Sequence, residues 1–165
     1  MYVLSIDPGF GRCGVAVIEG TGSKAALLFS ACIETSSKED FSSRLLSVAI
    51  EVSRLMSMHT PDTVAIEELY FTNNAKTALR VAEVRGMLIY LTESSGIHLV
   101  EYNPLAIKIA LTGYGRASKE QVTKMVEKLI KFPEKKMLDD EYDAIALGLT
   151  ALAGAKYNEV RSHKK

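Results

Sequence analysis

The chain has 165 residues, and its 20 basic and 20 acidic side chains give a formal net charge of zero at pH 7. This length suits one domain with its own core, and the balanced charge gives no argument from net charge for a nucleic-acid partner. Two cysteines do not make a disulfide framework, and no apolar run is long enough to span a bilayer, so we expect a soluble, cytoplasmic protein.

Apolar periodicity and turn residues predict strands and helices in the order βββαβαβααα. The predicted strands cover residues 2–7, 13–20, 24–35, 62–69 and 98–103. The predicted helices cover about residues 41–58, 74–93, 104–111, 119–132 and 139–157. Antiparallel strands followed by βα units indicate an α/β fold with a mixed five-stranded sheet and helices on both faces. We assign residues 1–158 to a single domain and residues 159–165 to a short basic tail.

Charge is segregated along the chain. Eight basic and four acidic side chains lie between Glu101 and Lys136, a local net charge of +4, while acids concentrate in the segments "IEEL" and "DDEYD". A basic surface beside an acidic cluster is typical of a metal-dependent enzyme that acts on a polyanion.

Carboxylates stand at the ends of three predicted elements. They are Asp7 at the end of the first strand, Glu67 and Glu68 at the end of the fourth, and Asp139, Asp140, Glu141 and Asp143 at the start of the last helix. If the first and fourth strands are neighbours, their acids meet at the edge where open α/β sheets place their ligands. Strand periodicity leaves the choice between Glu67 and Glu68 open.

Helix geometry sorts the acids of the last helix. At about 100° per residue, Asp140 and Asp143 continue the apolar stripe that faces the core. Asp139 lies further off and suits an N-cap, and Glu141 points away. We therefore expect Asp140 and Asp143 to reach the same site as the strand acids.

Four carboxylates in one site repel and desolvate one another, and divalent cations usually compensate this cost. Oxygen ligands suit Mg²⁺ or Mn²⁺, and two ions about 4 Å apart support phosphodiester hydrolysis without a nucleophilic side chain. Taken one at a time, an aspartate before Pro-Gly is more often a turn residue, and acids that open a helix are ordinary capping. The joint occurrence of the acids in three elements favours the metal site.

Four segments resemble the RuvC family of Holliday-junction resolvases, which have the ribonuclease-H fold. The segments are "IDPGFGRCGVAVI", "VAIEELYFTNNAKTALRVAEVRG", "GYGRASKEQV" and "DDEYDAIALG", in the order and at the spacing of the family. By this resemblance, Asp7, Glu67, Asp140 and Asp143 match the family's catalytic, metal-binding acids. The resemblance also selects Glu67 over Glu68.

The same resemblance implies a homodimer. The segment "NAKTALRVAEVRGMLIYLT" is similar to the family's dimer-forming helix, and its apolar residues Val81, Val84, Leu88 and Leu91 would suit an interface as well as a core. Tyr70 matches an aromatic position that disturbs base stacking at the crossover.

Lys108 and Lys119 match basic residues near the cleaved strand. Arg116 is assigned with them to DNA binding, and Lys124, Lys128 and Lys131 extend the positive surface. Phe10 and Cys13 depart from the family, in which small hydroxylated residues are common at these two positions.

The resemblance implies a Mg²⁺-dependent endonuclease, with two ions per active site and Mn²⁺ as a substitute, that resolves four-way DNA junctions by paired symmetric cuts. A branch-migration complex is a further candidate partner.

One alternative function is that of a ribonuclease-H-like nuclease for other branched DNA or for RNA. A second is an actin- or sugar-kinase-like ATP-binding domain, which normally needs two such domains. A third is a non-catalytic DNA-binding module, for which the loss of an acid would be the signature.

Overall fold

The structure is a computed structural model that describes residues 1–21, 24–69, 75–132 and 136–162. Its elements follow the predicted order. The strands are β1 (Tyr2–Asp7), β2 (Arg12–Thr21), β3 (Lys24–Glu34), β4 (Thr63–Glu67) and β5 (His98–Tyr102). The helices are α1 (Phe41–His59), α2 (Ala75–Ser94), α3 (Pro104–Thr112), α4 (Lys119–Leu129) and α5 (Asp139–Ser162).

The five strands form one sheet in the order β3-β2-β1-β4-β5. The first three strands are antiparallel, and β4 and β5 run parallel to β1. In the β1–β4 ladder Ile6 is opposite Ile66, so the next residues, Asp7 and Glu67, end neighbouring strands at the same edge. The predicted mixed sheet is therefore confirmed. We call the carboxyl-terminal end of β1 and β4, where Asp7 and Glu67 lie, the acidic edge.

Helices cover both faces of the sheet. Val3 and Ala65 face the layer of α3, α4 and α5, whereas Leu4 and Ile6 face the layer of α1 and α2. This alternation follows from the period of two in a strand. Odd-numbered positions of β1 and β4 consequently point toward α5.

Helix α5 lies unusually close to the sheet because glycines remove side chains at the contact. A Cβ atom on Gly14 in β2 would lie 1.9 Å from the carbonyl oxygen of Asp140, and one on Gly148 would lie 2.7 Å from Ser5 Oγ. The middle of α5 is buried on all sides, from Ala144 to Ala151. The sheet and the α3–α4 pair thus hold the start of α5 over the ends of β1 and β2.

Two predicted helix ends differ from the structure. Helix α4 ends at Leu129 rather than about 132, because Ile130 turns to an extended conformation and is buried in the core. Phe132 then packs on Tyr142 with ring centroids 5.5 Å apart. Helix α5 continues to Ser162 instead of ending at about 157. Of the helices described here, none has the length and apolar character needed to cross a bilayer.

The apolar residues that sequence analysis selected for a dimer interface mostly belong to the core. Val84 and Leu88 are fully buried against the sheet, and Leu91 packs on the same core. Val84 and Leu88 therefore cannot contact a second chain in this fold. Among the described residues of α2, the large apolar side chains that are exposed are Leu79 and Tyr90, which lie at other positions around the helix.

Candidate active site

Two of the predicted acids come from neighbouring strands. Asp7 and Glu67 occupy odd-numbered positions of β1 and β4, so both side chains lie on the α5 face of the sheet. Glu68 is exposed, and its backbone N–H donates to the Tyr102 carbonyl. The strand geometry thus favours Glu67 over Glu68, the choice that periodicity alone left open.

Helix α5 brings the second pair of acids. Gly14 is paired with Asp7 across the β1–β2 ladder, and the backbone of Asp140 lies against Gly14. Asp140 Oδ2 is buried and has no hydrogen-bond partner among the described residues, although Arg12 Nε lies 3.3 Å away as an ion pair. The absence of a side chain on Gly14 is therefore what allows Asp140 to approach Asp7.

A pocket of about 260 Å³ opens beside these acids, and its lining includes Glu67, Asp143, Lys108 and Lys119. Lys119 Nζ donates to Asp143 Oδ2 at 2.8 Å and lies 3.7 Å from Asp139 Oδ2. The pocket therefore combines anionic groups, which attract metal ions, with cationic groups, which attract phosphates.

The electrostatics show that the acids share one environment. Desolvation raises the pKa of Asp7 to about 7, and the charges of Asp143 and Asp140 add to this shift. Desolvation also raises the pKa of Glu67 to about 7, with further contributions from Asp7 and Asp143. Lys119 opposes both shifts. Carboxylates with raised pKa values in a recess are a signature of functional sites.

Metal-free protein is expected to lose stability as the pH rises. Asp7 and Glu67 bind protons more tightly in the folded state than in the unfolded state, so their contribution is complete below about pH 4 and is lost as the pH passes about 7. In EDTA, the melting temperature should fall by several degrees between about pH 5 and pH 8, and Mg²⁺ should restore more stability at the higher pH.

Calorimetry of the Asp7→Asn variant is the control for this pH dependence. Its melting temperature should change less with pH, because the variant lacks one of the two shifted carboxyl groups. An equal slope in the variant and the parent would contradict the assignment of the shift to these acids.

The donor set fits a hard divalent cation. Four carboxylates supply only oxygen, and Asp140 presents a buried oxygen without a hydrogen bond. In residues 1–21, 24–69, 75–132 and 136–162, no three potential ligands already stand at the spacing of one ion. Asp140 is paired with Arg12, and Asp143 is paired with Lys119.

Two expectations for the other acids of α5 were wrong. Asp139 is not the N-cap, because the Leu138 carbonyl accepts from Glu141 N at 3.0 Å and Asp139 is largely exposed. Glu141 does not point away to solvent. It is buried, accepts from Ser30 Oγ at 2.7 Å, and accepts from Leu138 N at 3.2 Å. The helical wheel missed this because α5 is covered on more than one side.

The predicted DNA-binding residues have different positions. Lys108 and Lys119 line the pocket, and Arg116 is exposed in the turn between α3 and α4. Lys124 and Lys128 line a separate pocket near Tyr114. Tyr70 lies outside the described residues.

Sequence reasoning overlooked Arg12. Its position in β2, two residues before the partner of Asp7 in the strand ladder, was the available signal. Without the strand register and the position of α5, that signal could not be connected to Asp140.

The chain is similar over most of its length to proteins of one family. The family model described as crossover junction endodeoxyribonuclease RuvC matches residues 3–151. The RuvC protein of Caldicellulosiruptor saccharolyticus is 42% identical over 150 residues, which are 90% of each chain. That of Natranaerobius thermophilus is 38% identical over 149 residues, 90% of this chain and 92% of the relative.

A solved structure extends the likeness to three dimensions. Thermus thermophilus RuvC in complex with a Holliday junction substrate superposes with a TM-score of 0.86 at 31% identity, covering 93% of this chain and 96% of that one. The predicted α/β fold of the ribonuclease-H type is confirmed, and the ATP-binding alternative loses its support. The chain belongs to the RuvC family of crossover junction endodeoxyribonucleases.

Proposed function

We propose that this protein is a metal-dependent endonuclease that resolves four-way DNA junctions by cutting two strands symmetrically. The observation that supports this proposal most directly is that acids from β1, β4 and α5 lie together at one edge of the sheet, beside Lys108 and Lys119. The relatives are named as crossover junction endodeoxyribonucleases, and the Thermus protein is seen with a Holliday junction substrate. Both facts support junction DNA as the substrate.

Asp7, Glu67, Asp140 and Asp143 are the proposed catalytic and metal-binding residues. They would hold Mg²⁺, two ions per site, with Mn²⁺ as a substitute. Such ions, when bound, lower the pKa of a water molecule and stabilise the charge of the leaving oxygen. Asp7 and Glu67 are partly buried, and the desolvation that raises their pKa values would also strengthen their interaction with a cation.

Basic side chains around the acids would position the DNA. Lys119 pairs with Asp143 and extends from the first turn of α4, so an incoming phosphate and Asp143 would compete for its ammonium group. Lys108 on α3 would contact the same strand from the other wall of the pocket. Arg116 and Tyr70 remain proposed contacts with the DNA beyond the pocket.

A homodimer is part of the proposal because two identical sites match the approximate two-fold symmetry of a junction. The layer of α1 and α2 carries the apolar surface that such a dimer needs. Leu46 and Ile50 on α1 are each 60% exposed, and Leu79 and Tyr90 on α2 are 67% and 71% exposed. These residues replace the buried ones that the sequence suggested for the interface.

Three further parts of the proposal concern the chain as a whole. Residues 1–158 form the nuclease domain, and residues 159–165 are a basic segment that adds positive charge for DNA. A cytoplasmic location suits a protein whose substrate is DNA. A branch-migration complex is a proposed partner, because a resolvase acts only on the base pairs at the crossover.

The test is cleavage of a plasmid that extrudes a cruciform. Coordinated cuts by a dimer are expected to convert the supercoiled circle directly to the linear form in Mg²⁺, with little nicked intermediate, and EDTA should stop the reaction. Synthetic four-way, three-way, flap and linear DNA and an RNA duplex then measure specificity on matched sequences. Equal cutting of the linear duplex, or faster cutting of RNA, would contradict the proposal in favour of a different nuclease.

A further inference from the structure

Two arginines and two phenylalanines form a stack next to the acidic edge. The rings of Phe10 and Phe41 meet edge to face, with centroids 5.8 Å apart. The guanidinium of Arg44 lies 4.7 Å from the centroid of Phe10, and that of Arg80 lies 4.0 Å from the centroid of Phe41. Each end of the aromatic pair therefore carries a cation. We call these four residues the arginine–aromatic stack.

The stack lies on the opposite face of the sheet from the pocket lysines. Phe10 packs on the core of the α1–α2 layer, whereas Lys108 and Lys119 belong to α3 and α4. Phe10 also lies in the turn that directly follows Asp7. The proposed catalytic acids therefore have cationic groups on both sides, and a DNA strand that crosses the edge of the sheet would meet both.

The position of Arg80 along α2 supports this arrangement. Arg85 Nε, on the same helix, donates to the carbonyl oxygen of Glu67 at 3.3 Å, which fixes α2 beside the end of β4. Arg80 precedes Arg85, and α2 runs from the acidic edge toward the start of β5. Arg80 therefore lies between Arg85 and the amino-terminal end of α2, on the same side of the sheet as the end of β4.

The two arginines differ in how much of their hydrogen-bonding capacity is used inside the protein. Arg44 Nε donates to Thr35 Oγ1 at 2.9 Å, and the same hydroxyl donates to the Phe10 carbonyl at 2.5 Å. Arg44 thus supports the turn after Asp7. Within the described part of the chain, Arg80 pairs with Glu83 through its NH1 group, at 2.8 Å from Oε2, and its side chain is 43% exposed. A guanidinium has five N–H donors, and this ion pair occupies one end of the group.

We propose that Arg80, held over the ring of Phe41, binds a backbone phosphate of the DNA strand on the α2 side of the acidic edge. The contact with the ring, 4.0 Å from Cζ to the centroid, restricts the position of the guanidinium, and a guanidinium can donate the two parallel hydrogen bonds that a phosphate accepts. Arg44 contributes by fixing Phe10 and therefore the stack. This contact rests on the proposed function as a DNA enzyme and carries no sequence preference.

The experiment compares Arg80→Gln with Arg54→Gln. Arg54 is a matched control because it is 44% exposed, makes an ion pair with a glutamate three residues away, and lies toward the far end of α1. Binding to a four-way junction and to a linear duplex of the same length is measured in EDTA over a range of salt concentrations. Unfolding temperatures are measured for both variants.

Arg80→Gln is expected to weaken binding to both DNAs by about three- to tenfold and to lower the slope of log affinity against log salt by about 0.9. In Mg²⁺ it should raise KM and leave kcat nearly unchanged. Phe41→Leu, which keeps the apolar contact but removes the ring, should give a smaller loss in the same direction. Arg54→Gln should stay within about twofold of the parent.

The result that overturns the proposal is an unchanged salt slope for Arg80→Gln on both DNAs, with affinity equal to that of Arg54→Gln. This outcome would make the stack a packing feature only. Failure of the proposed function looks different, because the parent would then bind junction and duplex equally while Arg80→Gln still lowered both affinities. A parent that binds neither DNA would overturn both ideas.

Discussion

Asp7→Asn is expected to abolish junction cleavage while leaving junction binding and the fold nearly intact. The substitution keeps the shape of the side chain but replaces one of the four carboxylates at the acidic edge by a neutral amide. Loss of one anionic ligand from a two-metal site should lower the cleavage rate by about 10³-fold or more, equivalent to ~4 kcal/mol of barrier. Single-turnover cleavage of a synthetic junction measures this directly.

Glu68→Gln is the matched control for Asp7→Asn. Glu68 is also a carboxylate at the end of a strand, but it is exposed. It follows Glu67 directly, and successive side chains of a strand alternate between the two faces of the sheet. Its variant should cut within about threefold of the parent. If Asp7→Asn cut as fast as the parent, the assignment of the metal site would be wrong. If it failed to bind the junction, the loss of cutting would no longer report on metal chemistry.

Gly14→Ala is expected to cause a large loss of stability. The new Cβ would lie 1.9 Å from the carbonyl oxygen of Asp140 and 3.2 Å from its Cβ. Both elements are packed, since β2 lies inside the sheet and α5 is buried from Ala144 to Ala151. The helix must move away from the strand, at an expected cost of about 3 kcal/mol or more in the free energy of unfolding.

The same displacement should remove activity, because it moves Asp140 away from Asp7. Thermal unfolding and cleavage are measured for Gly14→Ala, and Gly86→Ala is the control for the unfolding measurement. Gly86 lies inside α2, and a Cβ added there would meet no side chain and no other segment of the described chain within 4 Å. Alanine at this position should therefore maintain stability or raise it by up to about 1 kcal/mol. A folded, fully active Gly14→Ala protein would contradict the close approach of α5.

The sequence alone was sufficient to predict the strands, the helices and the edge at which the acids meet. Alternating apolar residues and the capping box at Ser118 are local signals, and both appear in the structure as expected. The positions of Asp140 and Asp143 followed from helical geometry because the apolar stripe of α5 does face the sheet. Glu141 did not follow from it, since a helical wheel assumes that only one side of a helix is covered.

Local sequence patterns could not predict contacts between residues that are far apart in the chain. The ion pair of Arg12 with Asp140 depends on the register of β2 and on the closeness of α5, and neither is encoded within a few residues. Val84 and Leu88 show the same limit, because an apolar stripe does not state whether its partner is the chain's own sheet or a second chain. Phe10 was noticed as unusual, but its packing partner Phe41 lies on another element.

The hydrogen bond from Ser30 to Glu141 connects β3, the outermost strand on one side of the sheet, to the first turn of α5. Outermost strands open more readily than central ones, because their backbone amides are paired with one neighbouring strand only. A local opening of β3 would break this hydrogen bond to the helix end that carries Asp140 and Asp143, although β3 has no residue in the lining of the described pocket. Hydrogen exchange of the β3 amides therefore reports on one of the contacts that hold the first turn of α5, outside the pocket itself.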